Sequence, residues 1–483
     1  MIPISGFMPD ADPTTPGVIV DCDQFIPFES GYKGAPTGVD VGLAALGADC
    51  AGAAVLRSLD GSAKLFAGTA TKLYQAGTTA WTDVSRAGDY TLSADDLWSF
   101  AQFGDINLAA TISAQIQKNT GAGFTDLSGA PKAKIIESVA GFVMALYTDE
   151  TVTGERPDGW WCSGLYDYTT WTASAATQAQ NGRLFGTEGP IVAGKALGND
   201  MIAYKNRAIY VGRYEGPPLS WSFTEIPGDV GCVGQNAVVD VDIGHVFVGL
   251  DNIYFFDGVR PVPIATGTVR DWFISRLDPT YRYKTALMWD KNAQLVWIFF
   301  PSAGNSGMLD SCLVWHLTTK RWGVATRDIE QPINYVSPGI TYDGGSPLIT
   351  TYDGTSLTIA YDSPFWLASG VTPSVIGTDG KIYTLSGVCD EAYFTTGDIG
   401  EDGAYLNCTR LRVRFTDAPD SATVQGYYKF AEGDALTTGA TGTLSDGKMD
   451  CRQAARFHRF KVTTDGDFVA TAYEIDAKRG GTR

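Results

Sequence analysis

Apolar and polar positions alternate in short runs along most of the chain, and β-branched and aromatic residues fill many of the apolar ones. The stretches 63–67, 97–103, 140–147, 201–204, 245–250 and 294–300 each have the length and side-chain chemistry of a strand. Between strands fall Asp-Gly and Gly-Asn pairs, which suit tight hairpins. One segment breaks the pattern. Residues 268–277 have helical spacing, with Thr268 as the expected N-cap and Pro279 beyond the end.

The strand pairs themselves repeat. Within residues 72–85 the pair Leu73-Tyr74 opens a hairpin, Gly77-Thr78-Thr79 turns it, and Trp81 starts the return strand seven residues after Tyr74. The same seven-residue step separates Trp315 from Trp322, across Thr318-Thr319. Phe124-Thr125-Asp126 echoes Trp81-Thr82-Asp83, and weaker copies end at Trp171, Trp221 and Pro261. Successive return strands are thus 43, 47, 50, 40 and 61 residues apart. A four-stranded blade needs about 40 to 50 residues and must stack on neighbours around an axis to bury both faces. The pattern therefore predicts an all-β chain built on a degenerate β-propeller, six blades favoured and seven possible, with the helix inserted in the longest step. Trp81, Phe124, Trp171, Trp221 and Trp322 are expected to be structural anchors packed between blades.

The flanks differ in texture. Residues 1–45 are rich in Pro, Gly and Asp and are expected to form an extended arm. Such an arm is placed to supply a strand that closes the ring, a point the sequence leaves open. Residues 46–389 carry the propeller, with 348–354 and 379–385 as further strands after the repeat fades. Beyond them, residues 390–483 alternate apolar with polar or charged positions at 411–415, 422–428, 456–462 and 468–475, as half-exposed strands of a small β-sandwich do.

Charge narrows the function. The 483 residues include 36 Lys and Arg against 54 Asp and Glu, a net charge of −18. Gripping a phosphate backbone requires clustered bases, so this balance argues against tight nucleic-acid or anionic-membrane binding, while allowing a surface past which DNA slides. No apolar run approaches the roughly 20 residues of a membrane span. No basic residue precedes Lys33, so the N-terminus does not read as a secretory signal. The eight cysteines lack a CxxC pair, which suits free buried thiols in a reducing compartment.

Candidate chemistry is sparse. His245, His316 and His458 lie in separate apolar stretches and form no metal or nucleophile motif. Gly442 to Lys448 imitates a phosphate loop, but Met449 stands where a hydroxyl belongs and no helical pattern follows, so a sandwich loop is expected. Asp240 with Asp242, and Asp398 with Glu401 and Asp402, are carboxylate groups of the kind glycoside hydrolysis or calcium uses. Solvated turns are the simpler reading. Trp160-Trp161 is the best aromatic pair for sugar stacking, with a buried blade edge as the commoner outcome. No catalytic, cofactor or metal residue is assigned, and the chain is not expected to be an enzyme.

Pro9 to Val18, Gly31-Tyr32-Lys33-Gly34-Ala35-Pro36, the segment 234–238 leading into 252–258, and the ending 475–483 occur in an order that resembles the tail nozzle proteins of short-tailed bacteriophages, also called tail tubular or packaged-DNA stabilisation proteins. That resemblance implies a structural virion protein, assembled in the host cytoplasm and resident in the tail. Its implied form is a six-fold homo-oligomeric ring beneath portal and adaptor, lining and closing the DNA ejection channel. Implied partners are the head-to-tail adaptor, tail fibre or needle proteins, and phage DNA passing without sequence-specific contact. No gate or contact residue follows from it. A different class, a carbohydrate-binding or carbohydrate-cleaving propeller such as a receptor-binding tail protein, is the alternative.

Overall fold

A computed structural model describes residues 1–336 and 371–480. The predicted strand segment 348–354 lies outside the described residues. Among the described residues, seven four-stranded antiparallel blades surround an axis. The first strands of the seven blades are Gly52–Arg57, Ser99–Phe103, Lys132–Val139, Ile191–Leu197, Val238–Asp240, Ala286–Asp290 and Ile329–Val336. Each contacts the next, and the last contacts the first, so the ring is closed.

Five of the six return-strand positions open the outermost strand of a blade: Trp81–Asp83, Phe124–Asp126, Trp221–Ile226, Pro261–Pro263 and Trp322–Val324. Trp171 differs. It sits in the loop between Gly154–Cys162 and the outer strand Gln180–Arg183. The blade count is seven, not the favoured six, because the seventh blade has no outer strand of its own in sequence order. Its strands Ile329–Val336, Val371–Gly377 and Ile382–Gly387 are completed by Thr37–Asp40, with Leu385 opposite Gly38 and Tyr383 opposite Asp40.

Residues 1–45 are accordingly not an arm standing apart. Ile2–Pro3 pairs with Val469–Arg479, Val18–Asp23 pairs with Glu391–Thr396, and Gly31–Gly34 meets Val469 and Ala470. These contacts make the N-terminal strands part of the C-terminal β-sandwich, whose two sheets centre on Leu406–Asp417 with Val469–Arg479 and on Phe457–Asp465 with Ser421–Lys429. The predicted alternation is visible at 411–414, where Leu411 and Val413 face inward and Arg412 and Arg414 face water, and the unpredicted strand Lys448–Ala455 shows it too.

Aromatic packing fastens the two bodies together. Phe25 stacks on Tyr32 at 4.4 Å, on Phe394 at 4.9 Å and on Phe468 at 6.1 Å between ring centres. The Tyr32 hydroxyl donates to the Trp322 carbonyl at 2.8 Å and accepts from the Phe7 amide at 3.0 Å. One hydrophobic core runs from blades 4 to 6 through these rings into the sandwich. Backbone approach is equally close: a Cβ on Gly323 would collide with the Phe25 carbonyl oxygen. Gly323→Val is therefore expected to cost about 1–3 kcal/mol through overpacking at this seam, measured as a lowered urea midpoint.

The helix Arg270–Arg276 lies between blades 5 and 6. Thr268 does not cap it; its hydroxyl donates to the Ala265 carbonyl. The cap comes from far away in sequence, since the Asp10 carboxylate accepts from the amides of Asp271 at 2.6 Å and Trp272 at 3.0 Å. An anion at that position also complements the positive end of the helix dipole.

Candidate functional site

The first strands of all seven blades border an axial cavity of about 320 Å³. Glu137 and Lys195 form an ion pair at 3.3 Å on its wall, at 17% and 40% side-chain exposure. Gln235, Asn334 and Trp289 also line it. The Gln235 amide nitrogen donates to the Lys134 carbonyl and that of Asn334 to the Trp289 carbonyl. Their amide oxygens, and the indole nitrogen of Trp289, have no hydrogen-bond partner among the described residues. Trp289 is only 8% exposed, so its unpaired N–H is a deeply buried polar group.

Above this throat, on the rim where the first strands begin, the axis opens into a wider cavity of about 640 Å³. Asn236 and Gln331 border both spaces. The mouth is acidic. Asp95 accepts from the Tyr283 hydroxyl at 2.6 Å, Asp96 from the Ser93 amide at 3.1 Å and the Ser113 hydroxyl, and Glu330 from the Cys50 amide at 2.9 Å. Asp49 is exposed beside them, with Lys284 as a nearby base. Burial raises the Glu330 carboxyl above its usual range, and Asp49 and Asp379 add to the shift. None of these carboxylates stood out in the sequence. The available signal was Asp95-Asp96 just upstream of a first strand, where a rim loop has to be.

The singled-out residues do not converge on this funnel. Phe124 packs between blades 1 and 2 against Phe66 at 5.4 Å, and Trp171 lies in the core between blades 2 and 3. Trp221 meets Phe142 of blade 3 at 5.6 Å, Trp322 meets Trp315 at 5.9 Å, and Trp81 rests against blade 7. Trp160 is buried against Phe223, and Trp161 is half-buried.

Asp242 is ion-paired with Lys291 at 2.7 Å, while Asp240 accepts from the Asp242 amide in a turn. Asp398 is 1% exposed at its side chain and meets Lys429 and Arg459, each at 2.8 Å. Glu401 pairs with Arg479 instead, so the three acids of that turn do not converge. Residues 442 to 448 belong to the sandwich strands Thr437–Ser445 and Lys448–Ala455 and the turn between them. All eight cysteines are free thiols, seven of them buried.

No protein-family model matches the sequence, and no curated protein matches it. Among solved structures the chain is similar to the WD40 β-propeller domain of Doa1, at 10% identity over 73% of this chain and 97% of that one, with a TM-score of 0.40. It is similar to YCF48 from Cyanidioschyzon merolae at 10% identity, over 73% and 98% of the two chains, with a TM-score of 0.38. A chain of the Mitotic Checkpoint Complex gives 9% identity, 73% and 94% coverage and a TM-score of 0.40. The chain is a β-propeller. Its blade order and closed ring are seen directly in the strand pairing, and likeness at this level carries no function across.

The three histidines are buried hydrogen-bonding groups in separate places. His245 Nδ1 bonds the Tyr204 hydroxyl at 2.8 Å, His316 Nδ1 accepts from the amides of Thr318 and Thr319, and His458 Nδ1 bonds Gln453 at 2.9 Å. Desolvation is the largest influence on all three and holds each imidazole below its ordinary value of 6.5. A folded-state value below the unfolded one means that the unfolded chain binds the extra protons first. The histidine contribution to stability is therefore complete above about pH 6.5 and is lost as pH falls from there through the folded-state values. The urea midpoint is expected to drop between pH 7 and 5.5, and His458→Gln should flatten that slope.

Proposed function

We propose that this chain is a structural component of a short-tailed phage tail, forming the distal nozzle around the DNA ejection path beneath portal and adaptor. The observation that carries the reading is the weld between propeller and sandwich. Strands from the first 40 residues enter both bodies, and a continuous core joins them. A ring that holds pressurised DNA needs subunits that do not hinge, and a shared core resists bending as packed interiors do. The net charge of −18 supports the same role, because weak repulsion of phosphates keeps DNA from sticking to the wall.

The propeller axis itself cannot be the DNA path. Side chains reduce it to about 320 Å³, far too little for a double helix. In this reading DNA passes between copies arranged in a ring, and each propeller lies at the side of the path. Quantitative peptide mass spectrometry of purified particles tests the proposal. It predicts about six copies for each portal ring, as closed rotational symmetry requires. Absence from the particle, or the copy number of trimeric fibres, would reject the nozzle in favour of a receptor-binding role.

A further inference from the structure

Three chain segments meet at one end of the β-sandwich. Tyr405 precedes the strand Leu406–Asp417, Phe430 follows Ser421–Lys429, and Arg456 joins Lys448–Ala455 to Phe457–Asp465. Leu406 lies opposite Ala455 and Lys429 opposite Phe457, so the register brings the three side chains together. Phe430 is the centre of the group. Its ring lies 6.0 Å from that of Tyr405, tilted by 50°, and 5.7 Å from that of Tyr428, nearly edge-on at 75°. The Arg456 guanidinium sits 5.6 Å from the centre of the Tyr405 ring. Phe430 is 45% exposed although its loop is held, since Lys429 donates to the Glu432 carbonyl at 2.7 Å and the Asp434 carboxylate accepts from the Ala431 amide at 2.9 Å. These bonds present an aromatic ring to water in a fixed position, at a hydrophobic cost.

The polar atoms beside the rings are open to solvent. The hydroxyls of Tyr405 and Tyr428 and both Nη groups of Arg456 have no partner among the described residues, and of these side chains only the Arg456 Nε is buried without one. Aromatic rings with a few accessible hydrogen-bonding groups are the usual lining of a small-molecule site. We infer that this end of the sandwich binds a neutral glycan. The C–H face of one hexose ring would lie on Phe430, with its hydroxyls accepting from Arg456 and bonding the two tyrosines. An apolar protein surface would cover the guanidinium and the hydroxyls without pairing them, which costs free energy. An anion would meet exposed Asp402, Glu432 and Asp434 in the loops that carry Tyr405 and Phe430. The inference does not rest on the nozzle reading, because the unassembled chain carries the whole platform.

Saturation-transfer NMR of the full chain tests it, with maltohexaose, cellohexaose and mannohexaose as neutral probes and a mannuronate hexamer as the acidic one. Transfer to at least one neutral hexaose at millimolar concentration is expected, with the mannuronate bound about tenfold more weakly or not at all. Phe430→Ala should weaken sugar binding about tenfold or more and, because the ring is already exposed, leave the urea midpoint nearly unchanged. Tyr405→Phe removes one hydroxyl and should weaken binding about threefold. Arg456→Lys keeps the charge but loses the planar fork of donors, and should weaken it about fivefold.

Tyr166→Ala is the control. That ring is 79% exposed in a propeller loop, between Gly154–Cys162 and Gln180–Arg183, and its loss should alter affinity less than about twofold. Equal weakening by Phe430→Ala and Tyr166→Ala would overturn the inference, leaving only unspecific contact with exposed aromatics. Absence of transfer to all three neutral probes would overturn it as well, as would mannuronate binding as tightly as they do.

Discussion

A chain lacking residues 1–40 is expected to yield no soluble folded protein. The deletion leaves the seventh blade with three strands, so that Ile382–Gly387 becomes an open edge next to blade 1. It also strips Ile2–Pro3 and Val18–Asp23 from the sandwich and removes Phe25 and Tyr32 from the rings that join the two bodies. Unpaired strand edges and freshly exposed core both promote aggregation. A milder cut separates the effects. Removal of residues 1–16 spares Thr37–Asp40, and should leave the propeller closed while loosening the sandwich. Soluble expression, sedimentation and hydrogen exchange of the two truncations check this. Full solubility of the longer truncation with native exchange in blade 7 would contradict the closure described.

The second large effect is expected at Asp398. Its carboxylate lies between Lys429 and Arg459, while its amide donates to the Pro13 carbonyl at 2.7 Å, so it anchors the N-terminal segment to the sandwich. Lys429 is 8% exposed and also donates to the Glu432 carbonyl. Replacing Asp398 with Asn removes the charge that buried Lys429 and half-buried Arg459 share. Breaking a buried pair by removing one partner costs about 3–5 kcal/mol, because an uncompensated charge stays behind. The exposed pair Asp242–Lys291 provides the contrast: at 56% and 69% side-chain exposure it should tolerate Asp242→Asn with almost no change. Denaturant midpoints of the two variants would measure the difference, and equal small shifts would show that the Asp398 cluster is hydrated.

The repeat was legible because its signal is local. An aromatic that opens an outer strand, seven residues after a partner and across a short turn, records one hairpin, and each hairpin lies within one stretch of chain. Trp171 misled only in placement, since a long loop carries it into the core before the outer strand begins. The seventh blade was hidden for the opposite reason. Its closing strand Thr37–Asp40 pairs with Ile382–Gly387 across more than three hundred positions, and nothing in the Pro- and Gly-rich text around it records that partner. Asp10 capping a helix at residue 271 is concealed in the same way.

Carboxylates posed a different difficulty. In sequence, Asp398, Glu401 and Asp402 resemble a cluster and Asp49, Asp95, Asp96 and Glu330 do not, because sequence proximity is a poor guide to what a ring of loops brings together. The strand alternation that places Asp398 near arginine and lysine is visible in the text of the sandwich, but its burial depends on the loop at Pro13. The funnel depends on turns far apart in sequence, at 49–51, 92–97, 283–284 and 329–331, arriving at one rim, which only closure of the ring produces.

Cryo-electron microscopy of DNA-filled particles tests the central functional claim most directly. The account predicts about six copies of this propeller and sandwich in a closed ring at the distal tail, with axial DNA density passing between copies and each propeller axis lying off the particle axis. Density placing the chain at the periphery, away from the axial DNA, would contradict it.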